Sequence, residues 1–366
     1  MVTQPDLYIG IMSGTSLDGV DAALVDLSQT VPRLIATQYQ PYPQALKDAV
    51  LALHHPTNNE LHQAQLIANQ LAREYAATTL DLLKKADVPP KYVQAIGCHG
   101  QTIRHRPEHG YTIQLNNAAL LAELTGIHVV SDFRSRDIAA GGQGAPLVPA
   151  FHDIVLRHPH IHRVILNIGG IANVTDLAVG KTTLGFDTGP GNLLMDAWIA
   201  KHHNKPYDKD GTWAASGKII PALLQKLSSE PFFSAMPPKS TGRDLFNLDW
   251  LSQRLKGDES PADVQATLLV LTGDSISDAV KRFCVGAEEI YVCGGGAHNS
   301  RLLSHLRLAL PKCMIEKSDS LDIDADWMEA IAFAWLAQKT LHLSPANLPA
   351  VTGAKHPCVL GAIYPA

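Results

Sequence analysis

The sequence of 366 residues lacks the features that mark several classes of protein. No stretch of apolar residues is long enough, without a charge, to span a bilayer, so no transmembrane helix is expected. The first residues, MVTQPDLYIGIM, contain no basic segment followed by a long apolar one, which argues against a secretory signal. The formal net charge of -5 gives no reason to expect nucleic acid or an anionic membrane as a partner.

Cysteine is scarce, and its spacing excludes a disulfide framework. The five cysteines are widely scattered without a Cys-x-x-Cys pair: Cys98, Cys284, Cys293, Cys313 and Cys358. This pattern predicts reduced thiols and a cytoplasmic protein. Cys98 stands next to His99, but adjacent residues of a strand point to opposite faces. A thiol–imidazole pair is therefore not expected.

Two common site motifs are also missing. The neighbouring histidines at positions 152, 158, 160 and 162 have no cysteine or His–Glu helical spacing beside them. We interpret them as surface or packing residues, which makes a metal hydrolase the least favoured class of function. There is no Walker A loop either, because no Gly-Lys-Ser/Thr follows a four-residue spacer.

Hydrophobic residues make up 46% of the sequence, which is enough for large cores in two or three domains. Residues 8 to 27, YIGIMSGTSLDGVDAALVDL, predict a β-hairpin in which small and polar residues from Ser13 to Gly19 form the turn. Such a turn can aim backbone N–H groups and hydroxyls at a phosphate, although it also fits an ordinary hairpin loop.

Residues 163 to 192 repeat this design. A buried strand ends on Gly169 and Gly170, and a return strand follows. The segment closes on GFDTGPGN, where Asp187 stands between an apolar strand end and a glycine-rich turn. Its carboxylate faces a ligand, or else Asp187 or Thr188 caps the helix that Pro190 could begin.

Both halves thus begin with strand, glycine turn and strand, and alternating strands and helices follow. This order predicts two similar α/β lobes with a cleft between them. The short strand EIYVC then runs into three glycines, where a flat ring or a phosphate could lie against the backbone, although tight turns also use glycine. Arg134 and Arg136 precede another glycine-rich run and could grip a polar ligand, or lie in a solvated loop.

Eight segments, in order along nearly the whole chain, resemble those of anhydro-N-acetylmuramic acid kinases. They are SGTSLDGVDAALVD, GCHGQT, DFRSRDIAAGGQGAPLVPAFH, LNIGGIANVT, GFDTGPGN, STGRDLFN, CGGGAHN and DADWMEAIAFAWLA. The resemblance implies the sugar kinase, actin and heat-shock chaperone superfamily. The implied fold is α/β, with two similar lobes of mixed β-sheet flanked by helices, as in actin-like ATPases and ribonuclease H-like domains, and an active site in the interlobe cleft.

The resemblance also implies where the two lobes lie in the sequence and which residues bind each ligand. Residues 1–150 would form the N-terminal lobe with the first phosphate hairpin: Ser13, Gly14, Thr15, Ser16, Leu17, Asp18, Gly19, Val20 and Asp21. Residues 151–366 would form the C-terminal lobe, whose last helix is open to packing on the first lobe. Its ATP-binding residues would be Asn167, Gly169, Gly170, Asn173, Gly294, Gly295 and Gly296. The sugar would contact His99, Gln101, Arg136 and Glu329.

The reaction implied by the family converts 1,6-anhydro-N-acetylmuramic acid, ATP and water to N-acetylmuramic acid 6-phosphate and ADP, in peptidoglycan recycling. Asp187 is then the candidate base for water. ATP, Mg²⁺ and the anhydro amino sugar are the expected ligands, and a homodimer is the expected assembly. The metal ligands are unassigned, because Met12 stands where many sugar kinases have an Asp. An actin- or chaperone-type nucleotide-binding protein without sugar chemistry is the alternative.

Overall fold

Two units make up the structure, a computed structural model that describes residues 5–14, 17–56 and 58–366. The first unit joins Met1–Leu156 to Trp327–Ala366, and the second is the continuous segment Arg157–Asp326. The sequence prediction divides the chain between residues 150 and 151. In the structure the last helix belongs to the first unit.

The first unit contains a six-stranded mixed sheet and a separate two-stranded hairpin. Its strands, numbered along the chain, are β1 Leu7–Met12, β2 Gly19–Asp26, β3 Arg33–Pro41, β4 Val93–Cys98, β5 Gln101–Arg106, β6 Tyr111–Leu115, β7 Val129–Ser131 and β13 Ala362–Tyr364. The large sheet has the order β13-β7-β4-β1-β2-β3, and β5 pairs with β6. Strands β1, β2 and β3 are antiparallel neighbours, whereas β4 runs parallel to β1 and β7 parallel to β4.

Helices cover this sheet. They are α1 Gln44–Ala52, α2 Glu60–Ala86, α3 Ala118–Thr125, α4 Ser135–Ala139, α5 Val148–Leu156, α12 Met328–Leu341 and α13 Pro349–Thr352, with 3₁₀ turns at Pro90–Tyr92 and Pro107–His109. Strand β1 is buried along its whole length, and α2 turns a buried apolar stripe towards the core. A strand buried on both faces needs a helix layer on each side.

Helix α12 packs directly on the centre of the sheet because two strand residues have no side chain. A Cβ atom at Gly10 would lie 1.7 Å from the Ala330 carbonyl oxygen, and one at Gly97 would lie 2.0 Å from the Phe333 carbonyl oxygen. Glycine is therefore required at both positions by close backbone approach.

The second unit repeats the pattern with five strands in the order β10-β9-β8-β11-β12. The strands are β8 Arg163–Ile168, β9 Ile171–Leu177, β10 Leu184–Pro190, β11 Glu289–Cys293 and β12 Met314–Lys317. The helices are α6 Leu193–His203, α7 Pro221–Ser228, α8 Pro231–Ser234, α9 Leu248–Ser252, α10 Pro261–Phe283 and α11 Ser300–Ala309, with 3₁₀ turns at Lys209–Gly211, Ala214–Ser216, Gly295–His298 and Ser318–Leu321. Again the first three strands are antiparallel, and the later two are parallel to β8 and to each other.

These two mixed sheets confirm the predicted α/β class and its internal repetition. Each unit opens with an antiparallel hairpin, β1–β2 in the first and β8–β9 in the second. In the described part of the chain, the helices are too short or too polar for any of them to traverse a bilayer.

Candidate active site

Three predicted site residues form a row across the sheet of the second unit. Asn167 on β8 pairs with Asn173 on β9, and Asn173 pairs in turn with Asp187 on β10. Residues directly opposite each other in antiparallel strands project to the same face. One carboxylate and two amides therefore share a face, close to the Gly169–Gly170 turn.

The Asp187 carboxylate is held by one of its two oxygens. Oδ2 accepts hydrogen bonds from the Ser240 hydroxyl and the Thr241 backbone N–H, each at 2.9 Å. The Asp187 N–H donates to the Lys239 carbonyl oxygen at 3.0 Å, which fixes the backbone as well. In the described structure no hydrogen bond to Oδ1 is formed, so this oxygen is available to take a proton.

The environment also adjusts the basicity of this group. Burial raises the pKa of Asp187 to about 6, although the Thr241 N–H, the Ser240 hydroxyl and the Lys239 charge all act in the opposite direction. The residue is half-buried. A base whose pKa lies near neutrality combines an ionised form at physiological pH with useful proton affinity.

The helix-cap interpretation of Asp187 and Thr188 is wrong. Helix α6 begins at Leu193 after Asn192, and the Thr188 hydroxyl donates to the Ala172 carbonyl oxygen. Strand β10 also continues through Asp187 to Pro190, with a register shift between Asp187 and Gly189, so the carboxylate lies within a strand instead of at its end.

Ser240 and Thr241, which donate to the Asp187 carboxylate, were not predicted as site residues. They belong to a polar turn, KSTGR, whose composition indicates a loop but not a partner. The only available signal was the occurrence of small hydroxyl residues in the segment STGRDLFN.

The turn of the second hairpin leaves open space around its glycines. A Cβ at Gly169 would meet no atom closer than 3.6 Å, and one at Gly170 none closer than 4.0 Å. Neither residue has a positive φ. Their carbonyl oxygens accept from the N–H groups of residues 191 to 193, which leaves the outer side of the turn for another group. The chain's own packing thus does not require glycine here, and close approach by a ligand would explain it.

The glycine run after β11 is different. Gly294 has φ +78° and its Cβ would lie 2.3 Å from Asn167 Oδ1, while a Cβ at Gly296 would lie 2.3 Å from Ile168 Cγ2. Of the three, the middle glycine, Gly295, has free space, because a Cβ added there would lie 3.7 Å from its nearest neighbour, the Asn192 side-chain nitrogen. Two of the three glycines therefore serve the close packing of β11 against β8.

In the first hairpin, the Ser13 hydroxyl is engaged inside the unit. It donates to the Gly100 carbonyl oxygen at 3.0 Å and accepts from Tyr75, which itself accepts from Tyr42. Because its one proton is used, the Ser13 hydroxyl cannot donate a hydrogen bond to a ligand.

The other described residues of the first hairpin turn differ in how much of their surface is exposed. Leu17 has φ +60° and is buried, as are Gly19 and Val20, whereas Asp18 is exposed and Asp21 is half-buried. The predictions for Thr15 and Ser16 lie outside the described residues. The Gly14 carbonyl oxygen accepts from the Gln101 side chain at 3.1 Å.

The predicted sugar-binding residues of the first unit fall into two groups. His99 and Gln101 are 4% and 1% exposed, and both contact the β1 end of the first hairpin. Glu329 lies half-buried in the first turn of α12, and Arg136 is exposed on α4. Burial raises the pKa of Glu329, an effect that the charge of Arg134 reduces.

Arg134, which sequence analysis noted only as one of two arginines, contacts His99 directly. Its Nε and Nη2 lie 3.2 and 2.9 Å from His99 Nε2. Burial and this positive charge lower the pKa of His99 to about 3, so the ring is neutral. Arg134 was missed because local sequence does not show which of two nearby arginines turns inward.

A resident metal is not built into the described residues, where no group of three or more His, Cys, Asp or Glu side chains converges. Met12 is paired across the strands with Asp21, so a carboxylate stands on the same face as the methionine. Mg²⁺ commonly binds one or two carboxylates together with nucleotide phosphates, and Asp21 fits that limited demand.

Comparison with known proteins finds one family over nearly the whole chain. A family model described as anhydro-N-acetylmuramic acid kinase matches residues 6–366. The anhydro-N-acetylmuramic acid kinase of Nitrosospira multiformis is 59% identical over 361 residues, 98% of this chain and 99% of its own length. That of Nitrosomonas europaea is 56% identical over 361 residues, with the same coverage. A solved structure of the activator of 2-hydroxyisocaproyl-CoA dehydratase from Clostridium difficile, with bound ADPNP, has TM-score 0.44 and 13% identity, covering 90% of this chain and 92% of that one.

These identities, over almost the full length of the relatives, define the class of protein as a phosphotransferase. Within that class, the chain belongs to the anhydro-N-acetylmuramic acid kinase family. The resemblance carried by the eight sequence segments is thereby confirmed.

Proposed function

We propose that this protein uses ATP and water to open 1,6-anhydro-N-acetylmuramic acid and to phosphorylate the released O6. The products are N-acetylmuramic acid 6-phosphate and ADP, and the role is peptidoglycan recycling. The observation that carries the proposal is the family match over residues 6–366, together with a carboxylate that has one oxygen held and one available.

The reaction changes two bonds of the sugar and one of ATP. Water attacks C1, the bond from C1 to the bridging oxygen breaks, and the water proton passes to Asp187 Oδ1. The released O6 takes the γ-phosphoryl group, and the bond between that group and ADP breaks. Because the phosphoryl group captures the leaving oxygen, no separate acid is needed, in contrast to an inverting glycosidase.

Asp187 suits the role of base for two reasons. Its Oδ2 is fixed by Ser240 and Thr241, so the orientation of Oδ1 is defined before substrate binds. Its pKa of about 6 leaves most of the group ionised at neutral pH while increasing its affinity for the proton of water.

The other assignments are those implied by the family resemblance, and the open Gly169–Gly170 turn and the buried His99 and Gln101 side chains support them. The Gly169–Gly170 turn and the first hairpin bind phosphates through backbone N–H groups, and Gly295 lies against the adenosine. Mg²⁺, held by the phosphates and Asp21, would neutralise charge on the transferred group. His99, Gln101, Arg136 and Glu329 contact the sugar.

The decisive experiment is an assay of ADP release over a panel of anhydro and ordinary amino sugars. We expect turnover only with the anhydro sugar, and the product sugar should carry oxygen from ¹⁸O-labelled water at C1 and none in its phosphate. Label in the phosphate would refute the coupled mechanism. ATP hydrolysis independent of sugar would support the alternative, a nucleotide-binding protein without sugar chemistry, which the family match does not favour.

Two further expectations concern the protein in its cell. We propose that it is a cytoplasmic homodimer. Light scattering of the purified protein and fractionation of its source cells would test these expectations; a monomeric mass or recovery outside the cytoplasmic fraction would contradict them.

A further inference from the structure

The turn that holds the Asp187 carboxylate is itself held by a lysine side chain. Lys239 immediately precedes the two residues that donate to Asp187 Oδ2. Its ammonium group donates to the carbonyl oxygen of Phe232 at 3.0 Å and to that of Phe233 at 3.2 Å. The same ammonium lies 4.6 Å from the centre of the Phe232 ring, whose π-electrons attract a cation. Three contacts therefore fix one long side chain in place.

These carbonyl oxygens lie at the C-terminal end of α8, a helix of a single turn. The last carbonyl groups of a helix have no partner within the helix and need a donor from elsewhere. Arg282 on α10 is a second donor, because its guanidinium contacts the carbonyl oxygens of Phe233 and Ser234 at 3.2 and 3.1 Å. The end of α8 is thus an acceptor site that Lys239 and Arg282 share.

The Phe233 ring connects α8 to the strand that carries Asp187. A Cβ atom at Gly189 would lie 2.6 Å from Phe233 Cε1, so the ring packs directly on β10, two residues beyond Asp187. The Asp187 N–H donates to the Lys239 carbonyl oxygen at 3.0 Å. The path from Asp187 through Lys239 to the Phe233 ring therefore begins and ends on β10, and the lysine ammonium closes it.

Lys239 also acts on Asp187 through its charge. Burial raises the pKa of Asp187, and the positive charge of Lys239 acts in the opposite direction. Burial and the charge of Arg282 lower the pKa of Lys239, whereas the charge of Asp187 raises it. Among the described residues, Lys239 is the titratable group whose charge acts on this carboxyl group. Loss of the ammonium would therefore raise the pKa of Asp187 further.

We propose that Lys239 is the positioning residue of the catalytic base. Its ammonium anchors the turn to α8, so that the Ser240 hydroxyl and the Thr241 N–H hold Asp187 Oδ2 in one orientation. The inference rests on the proposed function, in which Asp187 takes the proton of the attacking water. Without the anchor the turn is free to shift, and a displacement of about 1 Å in a reacting group can cost about 100-fold in rate.

The first test compares two substitutions of the lysine. Methionine keeps the apolar stem against Phe232 but cannot donate to the two carbonyl oxygens, whereas arginine can donate to both, as Arg282 does to its own pair. In Lys239→Met, we expect kcat for ADP release at pH 7.5 to fall roughly tenfold to 100-fold, with KM for ATP within about twofold of wild type. Lys239→Arg should recover most of the lost rate.

The second test measures the coupling of the two charges without turnover. In protein labelled with ¹³C at the aspartate carboxyl groups, the signal of Asp187 is identified by its absence from Asp187→Asn. Its titration midpoint should lie roughly 0.5 to 1 pH unit higher in Lys239→Met than in wild type, and at the wild-type value in Lys239→Arg. A lysine that only stabilised the fold would not make the midpoint follow the charge in this way.

Lys226→Met is the matched control, because Lys226 also donates to two consecutive backbone carbonyl oxygens, those of Gln253 and Arg254. It should change neither kcat nor the titration of Asp187. The inference would be overturned by an Asp187 midpoint that is the same in wild type and Lys239→Met, or by a loss of kcat in Lys239→Arg as large as in Lys239→Met. Failure of the wild-type protein to turn over the anhydro sugar would instead refute the proposed function, and the titration would still decide whether Lys239 acts on Asp187.

Discussion

The pKa of Asp187 makes the pH dependence of catalysis a sharp test of its role. The perturbation is Ser240→Ala, which removes one of the two donors to Oδ2 and leaves the Thr241 N–H in place. A base with a pKa of about 6 is half ionised at pH 6. The turnover rate should therefore fall roughly tenfold at pH 5, whereas a carboxylate of ordinary pKa would still be almost fully ionised there.

Removal of the Ser240 hydroxyl should move this acidic limb to higher pH. Hydrogen bonding to the charged form lowers a carboxyl pKa, so its loss raises the pKa further. Because Ser240 is exposed and water can partly replace its hydroxyl, we expect a shift of roughly 0.5 to 1 pH unit.

The assay is kcat for ADP release between pH 4.5 and 8.5 at saturating ATP and sugar. Titration of ATP itself would give an acidic limb in both proteins, but Ser240→Ala would not move it. Ser252→Ala is the control, since its hydroxyl bonds only the Asp249 carbonyl oxygen on α9. An acidic limb at the same pH in wild type and Ser240→Ala would refute Asp187 as the titrating base.

Three further predictions follow from particular contacts. Because the pKa of Asp187 is raised in the folded protein, its ionisation disfavours the folded state, and stability is lost as the pH rises from about 4 through about 6. Asp187→Asn should therefore raise the free energy of unfolding by about 2 kcal/mol at pH 7.5 and leave it unchanged at pH 3.5, which urea titrations at the two pH values would measure. Gly169→Ala should unfold like wild type yet bind ATP at least roughly tenfold more weakly, whereas Gly10→Ala should lose about 3 kcal/mol or more of stability; calorimetry that gave wild-type ATP affinity for Gly169→Ala would show that the open turn does not bind the nucleotide. Asp137→Asn should cost roughly 2–4 kcal/mol of unfolding free energy, because the amide NH₂ would face a donor in either orientation, the Gly144 N–H at one oxygen position or Asn347 and Thr352 at the other; unchanged denaturant midpoints would contradict this.

The hairpins and most helices could be predicted from sequence because their signals are local. Alternating apolar residues and a glycine turn are sufficient for β8 and β9, and the same holds for β1 and β2. The extent of β10 was not predictable in this way. Its glycines and proline favour a turn, but pairing with β9 carries the strand past Asp187 to Pro190.

The sequence indicated which residues belong to the candidate site, but not which hydrogen bonds connect them. Asp187 could be named from its motif, whereas its partners Ser240 and Thr241 lie more than fifty residues away, and no local pattern connects them. Arg134 immediately precedes helix α4 and Arg136 lies within it, and five residues of helix show no periodicity from which to decide which arginine contacts His99.

The position of α12 has a consequence for how the protein is made on the ribosome. The first unit is completed only by residues 327 to 366, the last to be synthesised, while the second unit is one uninterrupted segment. At about 5–20 residues per second, roughly 10 to 30 s pass between emergence of Leu156 and of Trp327. During that interval the face of β1 and β4 around Gly10 and Gly97 has no helix to cover it. The second unit can thus fold during translation, whereas the nascent first unit exposes an apolar sheet that chaperones would bind.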